Sequence, residues 1–195
     1  MQRYTILTTL LVFLFGSWML SDGSAQETRS SQATTLARTL ILVRHGEKLT
    51  EDPRDPELSE AGEARAAELA RVLGESKVSH LFSTAYKRSR ATLAPLASAQ
   101  GLEIAEYDPR DMPAFMASIK QLPPGSVAVI AGHSNTTPGL YKSLSGKDAA
   151  EVEQHPRHGA LLPDTAYDRL FVVALVEREG ELDCVSSVEL RYGAQ

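Results

Sequence analysis

The sequence predicts an α/β fold, a three-layer α/β/α sandwich around a mainly parallel sheet. Three observations carry that expectation. Two short apolar runs, Leu40-Ile41-Leu42-Val43 and Val127-Ala128-Val129-Ile130-Ala131, are uninterrupted, as strands buried on both faces are. Helix-period stretches alternate with strand-like ones along the chain, the pattern of crossover connections covering a parallel sheet on both sides. Gly74, Gly101 and Pro123-Pro124-Gly125 close the helical stretches where a stop is needed.

In chain order, the first strand ends at Arg44 and is followed by a charged loop that Pro53 and Pro56 interrupt. Leu58 to Gly74 then places Leu58, Ala61, Leu69, Val72 and Leu73 near one helical stripe. Ser59 suits its N-cap, with Glu60 and Glu63 in the first turn. Val78 to Phe82 reads as a strand, Tyr86 to Gln100 as a helix, Leu102 to Tyr107 as a strand and Ala114 to Leu122 as a helix. After the strand at Val127 comes a helix of about two turns from Pro138 to Leu144. Gly146 to Asp168 reads as a long irregular stretch. Leu170 to Val176 and Cys184 to Arg191 close the chain as strands around a turn at Glu179-Gly180.

The 195 residues suit one domain behind a removable segment. Residues 1–25 have the form of a secretory signal peptide: Arg3, an apolar run from Tyr4 to Leu20, and Gly23-Ser24-Ala25 before Gln26. This predicts a periplasmic or secreted protein cut after Ala25, with a membrane anchor through residues 4–20 as the alternative. Gln26 to Thr35 is polar and lacks periodicity, so residues 26–35 read as a disordered leader to a domain over residues 36–195. Membrane contact is then confined to the N-terminal segment before cleavage. The single cysteine, Cys184, excludes an intramolecular disulfide and reads as a packed or edge residue. The net charge of −5 survives removal of residues 1–25, which carry one charge of each sign in Arg3 and Asp22. An acidic chain with scattered aromatics argues against a nucleic-acid partner.

The chemistry sits at three strand ends. Arg44-His45-Gly46-Glu47 follows the first buried strand, at the carboxyl edge where open α/β sheets collect ligands. Ser83-Thr84 follows the second strand, with Arg88 at the start of the next helix. There a hydroxyl and a planar guanidinium fork suit phosphate oxygens. Gly132-His133-Ser134 follows the buried strand at Val127 and opens a helix, whose free N–H groups favour an anion. Two histidines after two buried strands, with two arginines beside them, can converge on one anionic group.

With these motifs in order, and with Leu58-Ser59-Glu60-Ala61-Gly62 as a first-helix opening, the chain resembles the histidine phosphatase superfamily, which has the phosphoglycerate mutase-like fold. The resemblance spans about Thr39 to Val176 and points to its small bacterial members. It implies a phosphatase that hydrolyses a phosphomonoester or phosphoramidate, with His45 attacking phosphorus to give a phosphohistidine that water then cleaves. By the same resemblance Arg44, Arg88 and a protonated His133 would hold the phosphoryl oxygens, with Ser83 as a further substrate contact. Adjacent guanidinium groups would keep His45 neutral. No metal or cofactor is implied, since arginines and histidines supply the positive field, and the expected partner is a small phosphorylated substrate.

The general acid is where the chain departs from its relatives. Ser134 stands where some members carry an Asp, leaving Glu47 and Asp108 as equal candidates and Asp111 behind them. His155 and His158 lack further ligands at metal spacing and read as part of a loop roofing the site, and His80 reads as structural. Two other activities fit the same pocket, a phosphoglycerate mutase-type phosphotransferase and a non-catalytic phospholigand-binding protein. The shortness of the chain favours hydrolysis over the mutase.

Overall fold

Neighbouring residues of the first strand serve two different cores. In the computed structural model, which describes residues 36–193, β1 (Arg38–Arg44) sends Leu40 and Leu42 into one apolar cluster and Ile41 and Val43 into another on the opposite face. β4 (Val127–Gly132) divides Ala128 and Ile130 from Val129 and Ala131 in the same way. This is the two-residue period of a strand covered on both faces, and it explains why both sequences are apolar without a break. Burying a Leu or Ile side chain contributes about 1.5–3 kcal/mol, so these strands form the thermodynamic centre of the sheet.

The covering helices supply the matching faces. α1 (Glu60–Leu73) buries Leu69 and Leu73, and α2 (Lys87–Gln100) buries Leu93 and Leu96, both against the Ile41/Val43 side. α3 (Met112–Lys120) and α4 (Thr136–Ser145) deliver Phe115, Ile119, Leu140 and Leu144 to the Leu40/Leu42 side. Ser59 caps α1 by accepting from Gly62 N, as its sequence position suggests, and Gly101 ends α2 with a left-handed φ of 64°.

With β2 (His80–Ser83), β3 (Ile104–Glu106), β7 (Arg169–Arg178) and β8 (Glu181–Arg191), the sheet runs β3-β2-β4-β1-β7-β8. The pairings β2/β3, β2/β4 and β1/β4 are parallel, while β1/β7 and β7/β8 are antiparallel. The fold is the expected α/β/α sandwich. Glu179 and Gly180, both at positive φ, make a two-residue turn between Arg178 and Glu181, which suits the twist of a hairpin. Cys184 lies half-buried on β8, the edge strand.

The stretch from Gly146 to Asp168 is less irregular than its sequence suggests. β5 (Glu153–His155) and β6 (Gly159–Leu161) form a small antiparallel hairpin of their own. Three-residue strands carry too little pattern to be read from periodicity. The signal-peptide and leader readings fall outside the described residues.

Strand order fixes where the site forms. β2, β4 and β1 are adjacent and parallel, so the loops leaving their carboxyl ends share one rim. β7 runs the other way and pairs Leu170 with Val43, so the segment entering it, 162–168, reaches the same rim from the opposite direction.

Candidate active site

β1 hands its direction straight to the histidine: His45 N donates to Gly132 O at 2.9 Å, extending the β1/β4 ladder one residue past Arg44. Gly46 N then donates to Thr92 Oγ1 of α2 (2.9 Å), and Thr92 donates in turn to Arg88 O. The loop also lies directly on α1. A Cβ added to Gly46 would sit 2.9 Å from Gly62 O, and one added to Gly62 would run into the Glu47 carbonyl. The glycine at position 62 is thus needed for close backbone approach. Gly62→Ala is expected to destabilise the fold by about 1–3 kcal/mol, as overpacking does, and to lower any turnover that depends on His45 by displacing it. Denaturant midpoint and turnover measured on the same preparation check both effects.

His45 is 4% exposed, and its tautomer is set by its neighbours. Arg88 Nε lies 3.1 Å from His45 Nε2. A guanidinium can only donate, so Nε2 carries the lone pair and Nδ1 the proton, which it gives to Gly46 O at 2.8 Å. Burial, with added repulsion from Arg88, His133 and Arg44, holds the imidazole pKa down to about 3, against the pull of the Gly46 carbonyl. This is a neutral imidazole with its nucleophilic nitrogen facing a cation.

The His133 ring lies 5.4 Å from the His45 ring, edge to face. Thr84 donates to Ser89 Oγ at 3.0 Å, which leaves its oxygen to accept from His133 Nε2, also at 3.0 Å. Burial first, then Arg88 and Arg44, push the pKa of His133 down to about 4. A phosphate dianion between the rings would oppose that push and favour the protonated form of His133.

The two arginines are held by aromatic faces and by the 162–168 segment. Arg44 is buried, its Nη1 donating to Pro163 O (2.7 Å) and its guanidinium carbon 4.0 Å from the centroid of the Tyr167 ring. Arg88 packs 4.4 Å over Tyr86 and lies 3.8 Å from Asp55. Arg44 Nε and Arg88 Nη1 are buried donors with no hydrogen-bond partner among the described residues. Arg44, His45, Arg88 and His133 line one cavity of about 440 Å³, joined at the rim by Lys48, Tyr86, Arg110, Ser134, Asn135 and Asp164.

Several expected site residues lie elsewhere. Ser83 is fully buried and donates to Thr84 O, so the hydroxyl that reaches the site belongs to Thr84, one residue on. Glu47 turns toward α1, where Arg65 Nε and Nη2 fork its carboxylate at 2.6–3.1 Å. Burial raises its pKa, but Arg65 outweighs that and the net direction is down. The carboxylate opens on a neighbouring cavity with Asp168 and Arg191. Asp108 accepts from Arg110 N and its guanidinium, is pushed down by those bonds and lines a different cavity beside Phe115. Each carboxylate is thus engaged by an arginine, Glu47 by Arg65 and Asp108 by Arg110. Asp111 is the N-cap of α3, accepting from Ala114 N. His155 and His158 stack at 4.6 Å on the β5–β6 hairpin and do not line the cavity; from the 162–168 segment Asp164 lines it, while Pro163 and Tyr167 pack on Arg44. His80 stacks on Phe82 within β2, as a structural residue would. Among the described residues no cluster of three or more His, Cys, Asp or Glu could hold a metal ion.

The sequence reading missed Tyr86, Tyr167 and Asp164. Tyr86 stands two residues before Arg88 and was open to notice. Tyr167 and Asp164 lie more than a hundred residues from Arg44, in a segment without periodicity, and only the antiparallel entry into β7 brings them close.

Comparison with known proteins agrees with this geometry. The family model of the histidine phosphatase superfamily (branch 1) matches residues 40–112, which include Arg44, His45 and Arg88 and stop short of His133. Among solved structures, the mycobacterial glucosyl-3-phosphoglycerate phosphatase Rv2419c is similar, with 17% identity over 76% of this chain and 98% of that one, and a TM-score of 0.57. SixA from Agrobacterium tumefaciens, described as a putative phosphohistidine phosphatase, aligns at 17% identity over 77% and 97% of the two chains, with a TM-score of 0.52. YhfR from Bacillus stearothermophilus aligns at 14% over 76% and 96%, with a TM-score of 0.55. At these identities the structural likeness speaks for the fold alone. No curated protein matches the chain in sequence. The family match over residues 40–112, the shared fold and the convergence of both motifs at one cavity make the chain similar to the histidine phosphatase superfamily.

Proposed function

We propose that the protein is an exported phosphatase that hydrolyses a phosphomonoester or phosphoramidate through a phosphohistidine on His45. The observation that carries the reading is the Arg88 Nε to His45 Nε2 contact of 3.1 Å, because it identifies a neutral imidazole with its lone pair directed at the anion-binding side. When a phosphoryl group enters, Arg88 exchanges that contact for a phosphate oxygen and frees the lone pair to attack. The Nε2–P bond forms as the bond from phosphorus to the leaving group breaks. Water then attacks phosphorus, the P–N bond breaks, and inorganic phosphate leaves. Arg44, Arg88 and His133 hold the equatorial oxygens throughout, which is the main demand of phosphoryl transfer. Support also comes from the similar fold of Rv2419c, a phosphatase captured with inorganic phosphate. Export rests on the sequence of residues 1–25.

Expressed at full length in a Gram-negative host, the protein is expected in the periplasmic extract, beginning at Gln26 and releasing phosphate from p-nitrophenyl phosphate. Acid-labile, base-stable phosphate is expected on the protein after rapid quench in alkali. Turnover with no trapped phosphohistidine would overturn the covalent route, and a cytoplasmic protein with an intact N-terminus would overturn export.

A further inference from the structure

Among the described residues, each carboxylate considered as the acid for a phosphate ester is engaged by an arginine. An alcohol leaves badly as an alkoxide, since its conjugate acid is about as weak as water. A phosphatase acting on esters therefore keeps a carboxylic acid within reach of the bridging oxygen, an arrangement worth about 10²–10⁴ in rate. Here Glu47 is forked by Arg65 and Asp108 is capped by Arg110, each in a different cavity. Among the described residues the one carboxylate lining the cavity is Asp164, fully exposed and 3.8 Å from the Arg44 guanidinium. The Nε2 hydrogen of His133 is committed to Thr84.

The rim carries instead more positive charge than one phosphoryl group uses. Beyond Arg44 and Arg88, Lys48 and Arg110 line the same cavity, and these four cations face Asp164 beside Arg44, Asp55 beside Arg88 and Asp108 on Arg110. Lys48 has no ion pair among the described residues, and Arg110 is an exposed side chain anchored at one end by Asp108. The inner arginines suffice for the transferring phosphoryl group, so Lys48 and Arg110 are further cations lining the same cavity. They suit a second anionic group on the leaving side.

We infer that the site is built for a terminal phosphoanhydride, with the outer phosphoryl group seated at His45 and the next one held at the rim by Lys48 and Arg110. A departing phosphate needs no proton, since its second pKa is about 6. The His45 Nε2–P bond forms as the P–O bond to the bridging oxygen breaks, and that oxygen's electron pair stays on the shortened phosphate, neutralised by the two rim cations. Water then cleaves the phosphohistidine, so diphosphate plus water gives monophosphate plus inorganic phosphate. The inference rests on the phosphatase reading and narrows its substrate class.

The test compares matched pairs on the intact protein: ADP against AMP, and inorganic pyrophosphate against glycerol phosphate, with p-nitrophenyl phosphate as a reference that needs no acid. At least a hundredfold higher kcat/KM is expected for the anhydride in one or both pairs, with ADP stopping at AMP. Lys48→Ala and Arg110→Ala, both at exposed positions, are expected to lower kcat/KM for the favoured anhydride about tenfold more than for p-nitrophenyl phosphate. Ratios below a hundred in both pairs, or equal losses on anhydride and reference, overturn the inference while leaving the phosphatase intact. No turnover of any of the five compounds overturns both.

Discussion

Replacing His45 by alanine is expected to lower p-nitrophenyl phosphate turnover by at least about 10⁴-fold, the scale on which covalent catalysis fails when its nucleophile is removed. His45 is the imidazole whose free nitrogen faces Arg88, and the other groups are engaged differently. Neutral His133 uses its Nε2 hydrogen on Thr84, Lys48 and Arg110 stand at the rim, and the two inner arginines cannot lose a proton. Phosphate binding should survive, because Arg44 and Arg88 keep their supports. The Pro163 carbonyl and Tyr167 hold the first, and Tyr86 and Asp55 the second. Removing the positive fork alone, by Arg88→Ala, should cost less, about 10²–10³. Turnover measured beside calorimetric titration with inorganic phosphate separates these roles. Wild type and His45→Ala sharing the same near-zero rate, with phosphate still bound, would return the protein to the class of phospholigand binders. More than a hundredth of the activity left in His45→Ala would mean that another residue is the nucleophile.

The parts of this site that were legible in the sequence are those fixed by local rules. A buried strand announces itself by apolar residues, and the residue after its last one must stand at the rim. The residue pattern alone therefore places His45 and His133 there. The parallel order of β2, β4 and β1 then follows from the alternation of strands and helices, although the insertion of β4 between β1 and β2 does not. What could not be read is the direction in which a rim side chain turns. Glu47 sits two residues from His45, yet the contact of Gly46 with Gly62 brings α1 so near that Arg65 captures the carboxylate. Ser83 and Thr84 are equal in the sequence, but strand alternation sends Ser83 inward and leaves Thr84 for His133. The roof over Arg44 was invisible because Pro163 to Tyr167 has no pattern of its own, only a position forced by the antiparallel β7.

Acidification should unfold this protein earlier than carboxylate titration alone would, and the two site histidines supply the reason. Unfolded, each imidazole titrates near about 6.5; folded, His45 is held to about 3 and His133 to about 4. Well above about pH 6.5 both states are neutral and the pair contributes no pH dependence. Between about 6.5 and 4 the unfolded chain binds protons that the native site refuses, so stability falls as pH falls. The loss flattens once the native imidazoles titrate as well. At 1.36 kcal/mol per pKa unit, each histidine costs up to about 2 kcal/mol between pH 7 and pH 5, and the pair about 2–4 kcal/mol. Glu47 works in the same direction but lower down. Its pKa is depressed in the native state, so its contribution is present above the ordinary carboxylate value and disappears as pH falls below it. Urea unfolding in phosphate-free buffer at pH 7 and pH 5 measures the difference. A His45→Asn/His133→Asn variant should lose most of that pH dependence, since asparagine keeps polar contacts without a proton to gain. Adding inorganic phosphate should also reduce it, because an anion between the rings stabilises the protonated native site. A wild-type stability unchanged between pH 7 and pH 5 would mean that the two imidazoles are hydrated and free to ionise. The neutral nucleophile held against Arg88 would then be lost as an explanation of the site.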